Sequence, residues 1–295
     1  MPNLENLSPD GKFMGLFIGR SGTGKKAAVA SFPKPILFLD FDGRIRGLTG
    51  CPWIELKGLG DVISFPPKPK ENDYIYQKVN NELEKIQGLV NVASCPYKTL
   101  YVGSITGSAF AFLQDASILT HQGNKGSKLG PLSMTGPQDY RFQNNAAKQM
   151  LAFLRFLREH PTGIPNIIVG AHVINRWGKP GTSEEEVEKK SEAGYDTAKI
   201  ISDAKQEFQY DSNIVIGEKL SLTEQLAEDI PIYFDHIFKF EKEMVLGNPE
   251  PQHFVQFRSE IARTSFAKLP NGRINITGKP FYEGMMRLAG FEVKG

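Results

Sequence analysis

Seven residues near the N-terminus, Gly19-Arg20-Ser21-Gly22-Thr23-Gly24-Lys25, fit the pattern GxxxxGK. Glycines at this spacing let successive backbone N–H groups wrap an anion without interference from Cβ atoms. Lys25 then supplies a point charge for the outer phosphates of a nucleotide. The motif needs a strand before it and a helix after it. The sequence offers an apolar run, FMGLFI at 13–18, and AAVASF at 27–32, which reads as the first turns of a helix stopped ahead of Pro33. Such a helix start would point its positive dipole end at the same anion. The competing reading is a glycine-rich turn with an exposed lysine.

The next position departs from the motif. It calls for Ser or Thr, whose hydroxyl ligates Mg2+, and the chain has Lys26, which carries no acceptor oxygen. Two carboxylates follow in ILFLDFD at 36–42. Alternation along a strand would put Asp40 and Asp42 on one face, able to recruit a metal; a capping or turn role ahead of Gly43 is the alternative. His172 ends another apolar run, NIIVGAH, where a satisfied structural histidine is the competing reading to a functional one.

These groups need a sheet to hold them. Apolar runs at 13–18, 36–42, 99–105 and 166–172 suit buried parallel strands, and helical spacing at 75–91, 107–119 and 143–160 supplies crossovers. The expectation is an α/β fold: a twisted, mostly parallel central sheet flanked by helices. Residues 55–74 read as irregular, 120–138 as a mobile loop, and 175–212 as polar with a solvated charge run, EEEVEKK. The NPEP at 248–251 marks a boundary near residue 244, giving a nucleotide-binding core at 1–243 and C-terminal edge strands with a helix at 244–295.

Composition narrows the classes. The 295 residues are 40% hydrophobic and 23% charged, which fits a folded chain rather than a disordered one. The net charge of +2 neither demands nor excludes nucleic acid. Two cysteines, Cys51 and Cys95, are too few for a disulfide framework and fit a reduced, cytoplasmic setting. No apolar run spans a bilayer, and the first residues do not read as a secretion signal, so no membrane partner is expected.

From the glycine loop onward the chain resembles phage-encoded RecA-like P-loop ATPases, including the Sak-type single-strand annealing group. The matching segments are FMGLFIGRSGTGKK, SFPKPILFLDFDG, YKTLYVGSIT, NIIVGAH, LAEDIPIYFDHIFKF and RTSFAKLPNGRINITGKPFYE. The resemblance implies ATP as ligand, held by Gly19 through Lys25. It assigns Asp42 to orienting the attacking water, and His172 to sensing the γ-phosphate. It also exposes a second departure: Gly103 stands where the family carries the aspartate that anchors Mg2+ through water. Both usual protein contacts to Mg2+ are therefore absent together. Three outcomes stay open: a degenerate site, a site in which Lys26 neutralises phosphate directly, and metal recruitment by Asp40 and Asp42.

The resemblance further implies single-stranded DNA as a partner, action as a homo-oligomer in recombination or annealing, an associated single-strand-binding protein, and a host bacterial cytoplasm. Two basic stretches occupy the places of DNA-binding loops. One contains Lys125 and Lys128, and the other Arg176, Trp177 and Lys179. Cations meet phosphate while tryptophan stacks on a base. A lid or a subunit contact is the alternative use of either stretch. Arg258, Arg263 and Lys268 are candidates to complete a neighbouring subunit's site, with ordinary surface charge the competing reading.

Overall fold

A computed structural model describes residues 12–51, 54–65, 74–122, 136–178, 214–259, 261–266 and 268–290. The chain divides into two compact units. One comprises residues 1–172 with 221–295, and the other Val173–Leu220.

The first unit is built on a nine-stranded sheet. Its central strands are β1 (Phe13–Ile18), β2 (Ile36–Asp40), β4 (Thr99–Val102), β5 (Asn166–Ala171) and β8 (His236–Glu243), with β3 (Gly60–Ser64) at one edge. The spatial order β8-β1-β5-β4-β2-β3 is parallel throughout. Strands β1, β2, β4 and β5 are buried at every position, which is why they appear as unbroken apolar runs rather than alternating ones. Beyond β8 the sheet continues antiparallel through β9 (Gln252–Gln256) and β11 (Arg273–Asn275), and β10 (Arg263–Thr264) pairs with the start of β8.

The fold is therefore α/β with a mostly parallel sheet and flanking helices. Strand β5 sits between the glycine-loop strand β1 and β4. One face of the sheet packs a phenylalanine cluster, including Phe13, Phe17, Phe32, Phe238, Phe240 and Phe281, beneath α1 (Lys25–Val29) and α6 (Phe281–Ala289). The rings meet edge-on or tilted at centroid separations such as 4.8 Å for Phe17–Phe240 and 5.7 Å for Phe17–Phe281. Helices α2 (Ile75–Asn91), α3 (Ile105–Gln122) and α4 (Pro137–Glu159) pack together, and α5 (Glu224–Asp229) leads toward β8.

Several local expectations change. The segment 55–74 holds β3, whose exposed residues at the sheet edge give no apolar signal. Helix α1 is only five residues long, with Ser31 and Phe32 in a closing turn, so its dipole is too short to count for much. The polar stretch after His172 contains β6 (Val173–Gly178), which pairs antiparallel with β7 (Ile214–Leu220) in the second unit. Most of the 120–138 loop and the EEEVEKK run lie outside the described residues. Among the described residues no helix is long and apolar enough to cross a membrane.

Candidate functional site

The loop leaves the end of β1 through Gly19 and enters α1 through Gly24. Gly19 (φ 149°), Gly22 (79°) and Gly24 (93°) all have positive φ. At Gly19 the need for glycine is also steric, because a Cβ there would stand 2.3 Å from the Phe240 carbonyl oxygen on β8. Thr23 is buried and donates its hydroxyl to the Arg20 carbonyl at 2.9 Å. Arg44 crosses the mouth of the loop and donates to the Ser21 hydroxyl at 2.5 Å.

Lys25 is folded back onto the loop. Its ammonium donates to the carbonyl oxygens of Gly19 at 2.5 Å and Arg20 at 2.9 Å, and the residue is 8% exposed. Burial lowers its pKa to about 8; the Asp42 carboxylate opposes that shift and Lys26 reinforces it.

Lys26 does not point away from the site. Its ammonium lies 3.2 Å from Asp40 Oδ1, and the Asp40 side chain is 1% exposed against 18% for Lys26. The other Asp40 oxygen accepts the Ile45 N–H at 3.1 Å. A Cβ built on Gly103 would stand 3.1 Å from Asp40 Oδ1 and 3.0 Å from the Leu39 carbonyl. The Asp40 carboxylate thus borders the space that a side chain at 103 would enter, approaching it from the neighbouring strand.

The GxxxxGK pattern pairs with a hydroxyl after the lysine as a Mg2+ ligand, and the sequence resemblance implies a carboxylate at position 103 that anchors the ion through water. The residues present do not fit that ion. An ammonium replaces the hydroxyl and is engaged by the one buried carboxylate nearby, and Gly103 offers no oxygen from a side chain. Among the described residues no group of three or more His, Cys, Asp and Glu is placed to hold a metal.

Asp40 and Asp42 turn to different partners, because β2 ends at Asp40 and the chain bends through the next residues. Asp42 Oδ2 lies 3.3 Å from His172 Nε2, just past the end of β5. The His172 backbone N–H donates to the Thr106 hydroxyl at 3.1 Å, so the histidine is held from α3 as well. Ser104 accepts the Gly107 N–H at 3.0 Å and caps α3. Tyr101 donates to the Gly103 carbonyl at 2.9 Å; its burial, with Asp42 and Asp40 nearby, pushes the phenol far above its ordinary pKa and keeps the proton in place.

These groups surround a cavity of about 440 Å³ lined by Ser21 through Ala28, Asp42, Gly103 and His172. Its far wall comes from the C-terminal segment: Lys242 on β8, His253 on β9, Lys279 in the bend before α6 and Phe281 at the start of that helix. His253 Nδ1 is buried with no hydrogen-bond partner, and lies 3.2 Å from where a Cβ on Gly24 would be. Five cationic side chains line the cavity (Lys25, Lys26, Arg44, Lys242, Lys279) against the single carboxylate of Asp42. No local pattern announces Lys242 or Lys279, since each joins the loop only through the sheet order.

Of the other candidates, Arg258 donates to Asn271 Oδ1 at 3.0 Å and Arg263 to the Pro231 carbonyl at 2.6 Å; neither lines the cavity, and nor does Lys268. Arg176 and Trp177 lie on β6 at the register shift in its pairing with β7, on a strand rather than in a loop. Lys125, Lys128 and Lys179 lie outside the described residues.

No family model matches the chain, and no curated protein matches it. Among solved structures, a KaiC-like protein of the hyperthermophilic archaeon Pyrococcus horikoshii is similar at 15% identity and a TM-score of 0.39, covering 89% of each chain.

Proposed function

We propose that this chain binds ATP in the cavity above Gly19–Lys25 and hydrolyses it slowly. The observation that carries the reading is the juxtaposition of a positive-φ glycine loop with five cationic side chains around one cavity. A triphosphate is the ligand whose charge matches that lining, and backbone N–H groups with two adjacent lysines are suited to its oxygens. Asp42, in contact with His172, is the group positioned to orient a water. Slow turnover follows from the metal site: an ammonium there can offset phosphate charge but cannot coordinate and bridge the β- and γ-oxygens as a divalent ion does.

The proposal extends to single-stranded DNA, in recombination or annealing by an oligomer, on the sequence resemblance and the basic stretches around Lys125, Lys128, Arg176, Trp177 and Lys179. One observation favours a second reading, a RecA-like scaffold with a retired site: Lys25 is already satisfied by the carbonyls of Gly19 and Arg20.

Measuring ATP binding, ATP turnover and oligonucleotide binding on one preparation separates the readings. The proposal expects ATP binding, turnover far below the range of about 1–100 per second of ordinary kinases, and DNA affinity that falls steeply with salt. ATP binding without any salt-dependent DNA binding removes the DNA part alone. Absence of ATP binding leaves the scaffold.

A further inference from the structure

We infer that the Lys26–Asp40 ion pair is a built-in replacement for the metal centre, so that this site takes its nucleotide as the metal-free anion. The inference rests on the nucleotide-binding reading above and deepens it.

Two positions, Lys26 and Gly103, depart from the metal-binding pattern in the same chain. Where a hydroxyl would follow the loop lysine there is Lys26, and where a carboxylate would stand on β4 there is Gly103. Either change alone would leave a mismatched charge. A lysine beside a carboxylate at 103 as well as Asp40 would face two anions, and a bare Gly103 with a hydroxyl at 26 would leave Asp40 buried without a cation. The chain shows neither mismatch. Asp40 borders the space over Gly103, with its Oδ1 3.1 Å from where a Cβ there would be, and the same oxygen lies 3.2 Å from the Lys26 ammonium. A carboxylate, a cation and the glycine loop therefore recur in one cluster, but the cation is covalently attached. Asp40 acts as a positioning residue: it holds the ammonium at the cavity wall, while its second oxygen is fixed by the Ile45 N–H. Lys26 itself lines the cavity and stays partly open to it.

The charge balance agrees. Metal-free ATP carries close to four negative charges near neutral pH. The lining brings Lys25 and Lys26 to the loop side and Arg44, Lys242 and Lys279 to the rim; Asp42 in the lining and Asp40 behind Lys26 oppose them, and cations remain in excess. Inserting Mg2+ would require its shell of six oxygens to form beside an ammonium, with Asp40 already engaged.

The test is ATP titration of the full chain, with excess EDTA and then with Mg2+. The inference expects affinity in EDTA equal to or tighter than in Mg2+. Tenfold or greater dependence on Mg2+ overturns the inference and leaves nucleotide binding standing. No binding under either condition removes the reading beneath it. Lys26→Met strips Asp40 of its partner and risks misfolding, so Lys26→Met with Asp40→Asn, which retires both charges, is measured beside it. The double variant is expected to lose about tenfold or more of the affinity in EDTA, the scale of one lost contact to a charged group. Unchanged affinity in EDTA overturns the role of Lys26.

Discussion

Replacing Lys26 by methionine isolates the buried half of the ion pair. Methionine keeps the length of the side chain and its packing against the loop, and removes only the ammonium. Asp40, at 1% side-chain exposure, then keeps a single hydrogen bond, from the Ile45 N–H. Removing one partner of a buried pair costs about 3–5 kcal/mol, because the other charge is left uncompensated. The 18% exposure of Lys26 lets some water reach the carboxylate, so the low end, about 3 kcal/mol, is expected. Adding Asp40→Asn removes the stranded charge and should recover most of that loss, with a coupling of about 1–3 kcal/mol in the double-mutant cycle. Urea unfolding at neutral pH, read as the midpoint at constant slope, measures each corner. If Lys26→Met costs under about 0.5 kcal/mol, the range of ordinary surface changes, the pair is not a structural unit and the reasoning fails.

Further outcomes concern Lys25, His236 and Gly19. Phosphate favours charged Lys25, whose pKa burial has lowered to about 8 in the free protein. ATP affinity should therefore be flat from neutral pH up to that value and fall by up to about tenfold per unit above it; affinity constant to pH 10 would contradict this. The same lowering means that folding carries a penalty for the charged lysine below pH 8, relieved as pH rises from 8 toward the ordinary 10.5. His236 is held neutral by burial, with Arg158 adding to the effect, and its pKa is lowered to about 3. It stacks on Phe13 at 4.7 Å and approaches Phe266 at 4.1 Å. Its contribution is full above about pH 6.5 and is lost as pH falls from there toward 3, at up to about 1.4 kcal/mol per unit. His236→Phe should flatten the acid limb of stability by one proton, and an unchanged slope in pH-dependent urea melts would refute the assignment. Gly19→Ala drives a Cβ to 2.3 Å from the Phe240 carbonyl at a φ of 149°, and should cost more than about 2 kcal/mol by thermal or urea melts while abolishing ATP binding.

What could be seen in the sequence depended on whether the signal was local. FMGLFI, ILFLD and NIIVGA stand out because strands buried on both faces of a parallel sheet are apolar at every position. GDVIS does not, because β3 is an exposed edge whose place is set by pairing with β2 rather than by its own side chains. The glycine loop is legible because positive φ demands a particular residue type, at Gly22 and Gly24 as at Gly19. The oddity of Lys26 and Gly103 is equally local, but its resolution is not. That Asp40 serves Lys26 while Asp42 serves His172 depends on where β2 stops and which strands border it. Alternation placed the two carboxylates on one face only as long as the strand continued. Lys242, His253 and Lys279 lie more than 200 residues from the loop, and reach the cavity only because β8 is the strand beside β1.

The central claim is that the cavity over Gly19–Lys25 is a triphosphate site. Calorimetric titration of ATP into the wild-type chain and into Lys25→Ala, at neutral pH and with folding verified by circular dichroism, tests it most directly. The account predicts one ATP per chain for the wild type and an affinity lower by about tenfold or more for the variant, the scale of a lost charge-assisted contact. No binding by the wild type, or equal affinity in the two proteins, would contradict it.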